Sequence, residues 1–313
     1  MSGVLVLDRA QTRAALDPAE VTGAVARALV AIARGEVSAP PRIAARAPAG
    51  LLGAMPGHVP GLGLAAKLVS VFADPAAPGR SHHRGVVALF DEREGRPLAL
   101  MDAEPLTAVR TAACATVAMR ALAVPEPRRV AVIGTGTQAH AQLALLAGLG
   151  PGTQVVVGGR DAERTRRAAA VHPRAAAETV AGALAGADVV FCCTDAAEPV
   201  LDRDRLAPGA HVGSVGGSRG PELDAATVRD GSLFVEWPGA GSAPPAGAHE
   251  LQGVPAERLT LIGSVLDGSR PGRRSPDELT VFKSTGHAAL DVAAASVVHR
   301  LARTRGLGTV VDL

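Results

Sequence analysis

The chain has 313 residues, of which 47% are hydrophobic and 20% charged, and its formal net charge is +2. This length and apolar content predict a globular protein of two domains. The near-neutral charge and the 2% aromatic content argue against a nucleic-acid-binding protein, which needs a basic surface and stacking residues.

No segment approaches the run of about 18 apolar residues that a membrane span requires. The first residues, MSGVLVLDRA, lack the basic and apolar regions of a signal peptide. We therefore expect a soluble, cytoplasmic protein. Three cysteines, Cys114, Cys192 and Cys193, are too few for a disulfide framework, so they are interpreted as reduced core residues rather than metal ligands.

Lysine is rare in this chain. Lys67 and Lys283 are the only two, although Lys and Arg together number 32, and Asn and Tyr are absent. Arginine has replaced lysine as the surface cation. A retained ammonium is a candidate for proton chemistry that a guanidinium performs poorly.

The first third of the chain predicts an α+β domain with a mostly antiparallel sheet. After an apolar strand at 4–8, a helix is expected from Pro18 to Gly35, because proline suits a helix start and glycine its end. Glu94 and Gly95 form the tip of a predicted hairpin. The further expected elements are strands at 50–55, 62–72, 84–92 and 96–103 and a helix at 106–123.

From Arg129 onward, apolar strands alternate with Ala-rich helices, which predicts a parallel sheet covered on both faces. The segment 275–306 is predicted to be one long helix that breaks near 284–286 and returns to the first domain. The prediction is an α/β fold: a Rossmann-type doubly wound parallel sheet domain at 116–286, and an α+β substrate and dimerisation domain at 1–115 with 287–313. The predicted parallel strands lie at 129–134, 153–159, 187–194, 210–216 and 233–237.

The first parallel strand runs into a GxGxxA motif that opens a helix. Gly134 permits the tight turn, Gly136 lets the backbone approach a pyrophosphate, and Ala139 allows close helix packing. The phosphates would meet the helix N-terminus. Because the required strand, helix and second strand are all present, the motif predicts a dinucleotide site.

The end of the second parallel strand favours NADPH over NAD. An NAD site usually places an acid there for the ribose hydroxyls, whereas this strand ends Gly158-Gly159-Arg160. Asp161 follows too late and is better explained as a helix N-cap. Arg160 could face a 2′-phosphate, or it could be an exposed residue at a helix start.

Three cations of the first domain stand in apolar or tight segments. Lys67 lies in the run LGLAAKLVSVF, Arg42 follows two prolines, and Arg110 lies in a helix of small residues. An unpaired buried ammonium is costly, so these positions suit a pocket for a carboxylate. Taken alone, each cation could instead be a surface residue, an interpretation that is favoured for Arg42, evenly balanced for Arg110 and less favoured for Lys67.

These segments resemble the ornithine cyclodeaminase and μ-crystallin family, in order and over nearly the whole chain. The matching segments are Pro41-Arg42, Gly53-Ala54-Met55-Pro56, the Lys67 strand, Leu106 to Ala113, Gly134 to Ala139 and Leu279 to Gly286. The resemblance implies a homodimer that binds a small amino acid or imino acid together with a nicotinamide coenzyme. It implies that Arg42, Met55, Lys67 and Arg110 bind the substrate, and that the coenzyme contacts Gly134, Gly136, Thr137, Gln138, Ala139, Thr194, Ser218 and Ser284.

One departure from the family pattern bears on the reaction. Cyclodeaminases and alanine dehydrogenases of the family carry an acid/base aspartate where this chain has Ser218, as the μ-crystallin-like ketimine reductases do. A serine cannot serve unaided as a general base near neutral pH. Glu222, Asp224 or water would have to replace the aspartate. His83 falls where some members have a histidine near the active site, although a satisfied histidine at a loop or strand end is favoured.

The sequence thus predicts an NADPH-dependent reductase of a C=N bond next to a carboxylate, such as a cyclic ketimine. Lys67 would be the catalytic cation, and NAD is a less favoured coenzyme. Two alternatives remain open: an amino-acid cyclodeaminase or dehydrogenase, and a non-catalytic NADPH-binding protein. For Lys283 the expectation is an interdomain salt bridge or plain exposure. The loop at 239–247 is expected near the site.

Overall fold

The fold is described from a computed structural model that covers residues 3–73 and 81–312, without the side chains of residues 73 and 81–83. The strands are β1 (Val4–Leu7), β2 (Ile43–Ala47), β3 (Gly50–Val59), β4 (Gly63–Ala73), β5 (Ser81–Phe90), β6 (Pro97–Asp102), β7 (Arg129–Ile133), β8 (Gln154–Gly158), β9 (Ala175–Glu178), β10 (Val189–Cys192), β11 (His211–Ser214), β12 (Ser232–Val235), β13 (Leu259–Leu261), β14 (Thr280–Lys283) and β15 (Thr309–Val311). The α-helices are α1 (Arg9–Ala15), α2 (Pro18–Ala33), α3 (Ala103–Leu122), α4 (Thr137–Leu146), α5 (Ala162–Ala169), α6 (Val180–Leu184), α7 (Ala225–Asp230), α8 (Ile262–Leu266) and α9 (Ala288–Arg305).

The chain divides into two compact units. Unit 1 comprises Met1–Arg110 with His287–Leu313, and unit 2 comprises Thr111–Gly286. Each unit is built around its own sheet, and the fold class predicted from the sequence is confirmed. Among the described residues, no helix is both long enough and apolar enough to cross a membrane.

Unit 1 contains a sheet in the order β15-β1-β6-β5-β4-β3-β2, antiparallel except where β1 pairs with β6. Helix α9 packs against α2 and against one face of β3 and β4. It is apolar on nearly every side, and Leu290, Ala293 and Ala294 are completely buried. Its C-terminus is closed by Gly306, whose φ of 63° is the left-handed conformation that glycine adopts without strain.

Unit 2 contains a fully parallel sheet in the order β13-β12-β14-β11-β10-β7-β8-β9. From β7 the chain first proceeds to β8 and β9 on one side and then returns to β10 on the other. The carboxyl ends of β7 and β10 therefore flank a topological switch point, where open α/β sheets bind ligands.

The prediction of one long helix over 275–306 was wrong in its first part. Residues Thr280–Lys283 form strand β14, inserted between β11 and β12, and only Ala288–Arg305 is helical. The sequence Thr-Val-Phe favours a strand, and all four residues of β14 are buried, as a central parallel strand requires. A short apolar run of this kind does not distinguish a buried strand from a buried helix.

The other predicted strands and helices are present with shifts of a few residues at their ends. Helix α1 and strands β2, β9, β13 and β15 had not been predicted. Strands β2 (IAARA) and β9 (AAAE) carry mostly exposed, Ala-rich residues, so neither shows an apolar alternation that would identify a strand.

Candidate functional site

A buried ion cluster in unit 1 joins two of the predicted substrate residues to a third. Lys67 Nζ lies 2.8 Å from Asp291 Oδ2, and Arg110 Nε lies 3.0 Å from Asp291 Oδ1. The three side chains are only 6%, 5% and 2% exposed for Lys67, Arg110 and Asp291 respectively. We call these residues the Asp291 cluster.

The sheet and helix α9 bring the cluster together. Met55 on β3 is directly opposite Lys67 on β4, so both side chains project from the same face of the sheet. Gly57, two residues further along β3, lets α9 approach closely, since a Cβ there would lie 3.0 Å from Cβ of Ala288. Asp291 follows one turn later on the helix. The predicted substrate residues Met55, Lys67 and Arg110 are therefore buried residues of unit 1.

Burial lowers the pKa of Lys67 to about 8, with Asp291 opposing the change and Arg110 and Arg42 adding to it. Burial also raises the pKa of Asp291, but the charges of Arg110 and Lys67 outweigh it and hold that pKa below its usual value. Asp291 is thus a carboxylate, and Lys67 is an ammonium that can release its proton near neutral pH. Arg42 is half-buried and close enough for its charge to act on Lys67.

Arg110 retains hydrogen-bonding capacity inside the protein. Its Nη1 is buried and has no hydrogen-bond partner among residues 3–73 and 81–312. A buried guanidinium nitrogen without a partner is costly, whereas a carboxylate would satisfy it. Asp291 was not predicted from the sequence, because an isolated aspartate in an Ala-rich helix resembles a surface residue.

The dinucleotide motif of unit 2 has the geometry that a pyrophosphate needs. Gly134 has φ of 126°, and a Cβ there would lie 2.5 Å from the carbonyl oxygen of Cys193. Gly136 precedes α4, and a Cβ on it would meet nothing within 4 Å. Thr137 begins the ten-residue helix α4, while Ala139 is completely buried. The first N–H groups of α4 are available to phosphate oxygens.

Three of the remaining predicted coenzyme residues donate hydrogen bonds to carboxylates of unit 2. Thr194 Oγ1 donates to Glu222 Oε1 over 2.7 Å, and Ser284 Oγ donates to the buried Glu236 over 2.8 Å. Ser218 Oγ donates to Asp195 Oδ1. Gln138 is half-buried, and its Oε1 is buried without a hydrogen-bond partner among the described residues.

Arg160 is exposed between β8 and α5. Asp161 caps α5, its side chain accepting the N–H of Arg164 over 2.8 Å, which confirms its interpretation as an N-cap. A Cβ on Gly159 would lie 2.2 Å from Oγ1 of Thr165. The strand end therefore has no room for an acid at residue 159 unless Thr165 moves.

The carboxylates suggested as replacements for the missing aspartate already have other roles. Glu222 is completely buried and accepts four hydrogen bonds, from Thr194 N and Oγ1, Ser214 Oγ and Gly216 N, at 2.6 to 2.8 Å. Asp224 caps α7 by accepting the N–H of Thr227. Neither carboxylate is free to act as a base.

Lys283 differs from both expectations. Its side chain is 2% exposed, and its Nζ lies 2.9 Å from Glu250 Oε1. Lys283 and Glu250 both belong to unit 2, so the ion pair is not interdomain and the residue is not exposed. The run LTVFK gave no sign that the lysine ends a central buried strand.

Other predictions concern residues that the structure describes in part. The backbone of His83 pairs with Val71 in the sheet, while its side chain lies outside the described residues. The loop at 239–247 starts in a 3-10 turn (Pro238–Gly241), and its place near the site stays a prediction. The three cysteines are buried and form no disulfide among the described residues, and burial raises the pKa of Cys192 and Cys193 well above the usual value.

A family model matches nearly the whole chain. The model of the ornithine cyclodeaminase/mu-crystallin family matches residues 4–306. The chain belongs to this family. It is 32% identical over 255 residues to ketimine reductase mu-crystallin of Mus musculus, covering 80% of each chain.

Two solved structures extend the comparison within the family fold. Δ(1)-pyrroline-2-carboxylate reductase of Thermococcus litoralis, solved with NADH and L-proline, superposes with a TM-score of 0.87 at 26% identity and covers 98% of this chain and 100% of that one. An archaeal alanine dehydrogenase dimer with bound NAD also gives 0.87, at 27% identity and 99% coverage of each chain.

The Asp291 cluster allows a direct test of buried charge. In Asp291→Asn two buried cations lose their counter-ion, so the free energy of unfolding should fall by about 3 to 5 kcal/mol. Urea denaturation would measure the loss. The matched control is Glu20→Gln, which breaks an exposed ion pair with Arg300 on the same helix α9 and should cost no more than about 1 kcal/mol. If the free energy of unfolding fell equally in the two variants, Asp291 would not be the buried counter-ion of Lys67 and Arg110.

Proposed function

We propose that the protein is an NAD(P)H-dependent reductase of a C=N bond next to a carboxylate, acting on a ketimine or cyclic imino acid and preferring NADPH. The observation that carries the proposal is the buried Arg110, whose Nη1 has no hydrogen-bond partner in the described part of the chain and which shares Asp291 with the ammonium of Lys67. The comparison with a ketimine reductase and a pyrroline-2-carboxylate reductase supports the same reaction class.

The charges of unit 1 favour an anionic substrate. Lys67 and Arg110 carry two positive charges against the single negative charge of Asp291, and the charge of Arg42 also acts on Lys67. One negative charge would neutralise the buried cluster itself. A carboxylate held by the Arg110 fork would provide that charge and would also fix the orientation of the adjacent imine carbon.

Lys67 supplies the acid that imine reduction needs. An imine accepts hydride readily only when its nitrogen is protonated or hydrogen-bonded. The pKa of Lys67, lowered to about 8 by burial, lies near the range in which a general acid is effective. Lys67 would therefore donate to the imine nitrogen while Arg110 holds the carboxylate.

Unit 2 has the residues that would hold the coenzyme. The N–H groups at the start of α4 and the open space at Gly136 suit the pyrophosphate, and the exposed Arg160 suits a 2′-phosphate. Thr137, Gln138, Thr194, Ser218 and Ser284 would border the rest of the coenzyme. When bound, the coenzyme supplies the hydride.

Cyclodeamination is less well supported, since it requires a general base. Ser218 stands at the aspartate position, while Glu222 and Asp224 are occupied by structural hydrogen bonds. Net reduction of an imine needs no such base, and the available acid is Lys67.

The reaction is tested by mixing the protein with NADPH or NADH and a panel of five- and six-membered cyclic imino acids, while following the loss of reduced-coenzyme absorbance. Arg110→Lys should raise the imine KM about tenfold because one charge-assisted hydrogen bond is lost. Arg300→Lys, on the surface of α9, should leave KM unchanged. Ammonia release from ornithine without oxidation of either coenzyme by any imine would overturn the proposal.

The pH dependence of reduction should report Lys67. Below pH about 8 the ammonium is protonated and can donate, and above it the group is neutral. We expect kcat/KM to fall about tenfold per pH unit above that pKa. In Lys67→Arg, whose guanidinium stays charged, the maximal rate should drop and this part of the fall should disappear. If Lys67→Arg kept the pH profile of the unchanged protein, the fall would come from ionisation of the substrate and not from Lys67.

Coenzyme preference should depend on Arg160. Arg160→Ala removes a cation from the proposed 2′-phosphate site, so kcat/KM for NADPH should drop about tenfold while that for NADH stays constant. Arg167→Ala is the matched control, because Arg167 is an exposed arginine on α5 whose partner is Glu163. Equal use of both coenzymes by the unchanged protein would contradict a role for Arg160 in discrimination.

We also infer that unit 1 forms a homodimer. The register of β2, β3 and β4 puts Ile43, Leu52, Leu68 and Phe72 on one face, opposite to that of Met55 and Lys67. These four side chains are 68%, 49%, 39% and 37% exposed. Such an apolar face is typical of a protein interface. The dimer of the alanine dehydrogenase supports a second copy of the chain as the partner.

Analytical ultracentrifugation tests the dimer. Leu52→Asp combined with Leu68→Asp would bury charge in the proposed interface and should produce monomers at micromolar concentration. Val310→Asp, 62% exposed on β15 of the same sheet, should leave the sedimentation coefficient unchanged. A monomeric unchanged protein would refute the interface.

A further inference from the structure

Lys283 has no role in the proposed reaction, yet it is one of only two lysines and is nearly inaccessible. Its Nζ donates to Ser214 Oγ and to Gly216 O, both over 2.8 Å, and lies 2.9 Å from Glu250 Oε1. The ammonium thus donates two hydrogen bonds and forms one ion pair. Ser214 in turn donates to Glu222 Oε2 over 2.7 Å.

Glu222 connects this lysine to segments at the carboxyl end of the sheet. One carboxylate oxygen receives Thr194 N and Oγ1, which follow β10, and the other receives Gly216 N, which follows β11. The carboxylate therefore ties together the segments that leave two adjacent parallel strands. These segments lie at the carboxyl end of the sheet, where an α/β protein binds its ligand.

The same segments border the dinucleotide motif. A Cβ on Gly134 would lie 3.4 Å from Thr194 Cγ2 and 2.5 Å from Cys193 O, so the chain after β10 is packed against the first glycine of the motif. On the other side, a Cβ on Gly217 would lie 3.1 Å from Nζ of Lys283. Movement of the Thr194 or Gly216 segment would therefore change the shape of the proposed coenzyme site.

The charges explain why a cation is required here. Glu222 and Glu250 are both buried, and Lys283 Nζ lies 3.9 Å from Glu222 Oε2 as well as 2.9 Å from Glu250. Without Lys283, the carboxylates of Glu222 and Glu250 would lose the cation that lies within 3.9 Å of both, and buried negative charge that has lost its counter-ion is costly unless one carboxylate moves. That movement would weaken the hydrogen bonds of Glu222 with Thr194 and Gly216.

We propose that Lys283 is a positioning residue for the coenzyme: with Glu250 as its counter-ion, it holds Ser214 and the carboxylate of Glu222 in place and thereby fixes the Thr194 and Gly216 segments at the proposed coenzyme site. The proposal rests on the proposed coenzyme-dependent function. It assigns Lys283 no contact with the substrate, so its effect is on coenzyme binding rather than on imine binding.

The test measures the Kd of NADPH and NADH directly, through energy transfer from Trp237, the single tryptophan of the chain, to the reduced nicotinamide. Lys283→Met should raise the Kd by about tenfold or more, with the imine KM unchanged, because small displacements of binding groups are costly. Lys283→Met with Glu250→Gln removes one cation and one anion together, and should recover most of the lost affinity.

The control variant is Arg273→Met, which changes contacts at the start of β14, the strand that Lys283 ends. Arg273 donates to Leu122 O and to Thr280 Oγ1, and Thr280 is the first residue of β14 whereas Lys283 is the last. This variant should lower the melting temperature without changing the coenzyme Kd.

The outcomes separate this inference from the proposed function. If the unchanged protein binds coenzyme and reduces imines, and Lys283→Met is folded with the same coenzyme Kd, the positioning role is refuted and the function stands. If Lys283→Met and the double variant lose affinity equally, charge compensation by Lys283 is refuted. If the unchanged protein binds neither coenzyme, both proposals fall.

Discussion

The interior of unit 1 contains charged side chains whose burial is costly unless each has a counter-ion. Lys67 and Arg110 can be buried because each forms an ion pair with Asp291. A buried pair is neutral or weakly stabilising as a whole, yet removing one member leaves an uncompensated charge. The cluster contains one more cation than anion, so its net charge is positive. That imbalance links the architecture of the sheet to the carboxylate binding that we propose.

In unit 2 the buried charges are carboxylates, and hydrogen-bond donors compensate them. Glu222 and Glu236 are completely buried carboxylates, and each collects donors from segments that leave neighbouring strands. Ser284 and Thr285, which follow β14, donate to Glu236, just as Thr194 and Gly216 donate to Glu222. Irregular backbone at the end of a sheet has unpaired N–H groups, and a buried carboxylate satisfies several of them at once. The segments at the carboxyl end of this sheet are therefore ordered by hydrogen bonds to buried carboxylates.

Local patterns were sufficient for much of the fold. The strand, GxGxxA turn and helix at 129–146 could be predicted because glycine spacing, apolar runs and helix length all agree over a short segment. The position of Lys67 in an apolar strand likewise identified it as unusual. Such residues can be identified from their sequence neighbours alone.

The missing parts have physical reasons that are not local. Asp291 is 224 positions from Lys67 in sequence, and nothing in AALDVAAAS indicates which of its residues faces a sheet. Glu222 and Glu236 are acids in loops, where solvent exposure is the usual state. Strand β14 was predicted as helix because its buried position depends on neighbours contributed by distant segments. Composition likewise identified Lys283 as unusual but could not indicate its partner Glu250.

The burial of both lysines has a consequence for the chemistry of the surface. Lys67 and Lys283 are 5% and 2% exposed, and every other basic side chain of the Lys and Arg class is a guanidinium. Reagents that acylate or cross-link primary amines therefore meet no lysine on the surface of the folded protein. Acylation of Lys283, which has no contact with the proposed substrate, would report local opening, so the slow appearance of a modified Lys283 would measure the stability of unit 2.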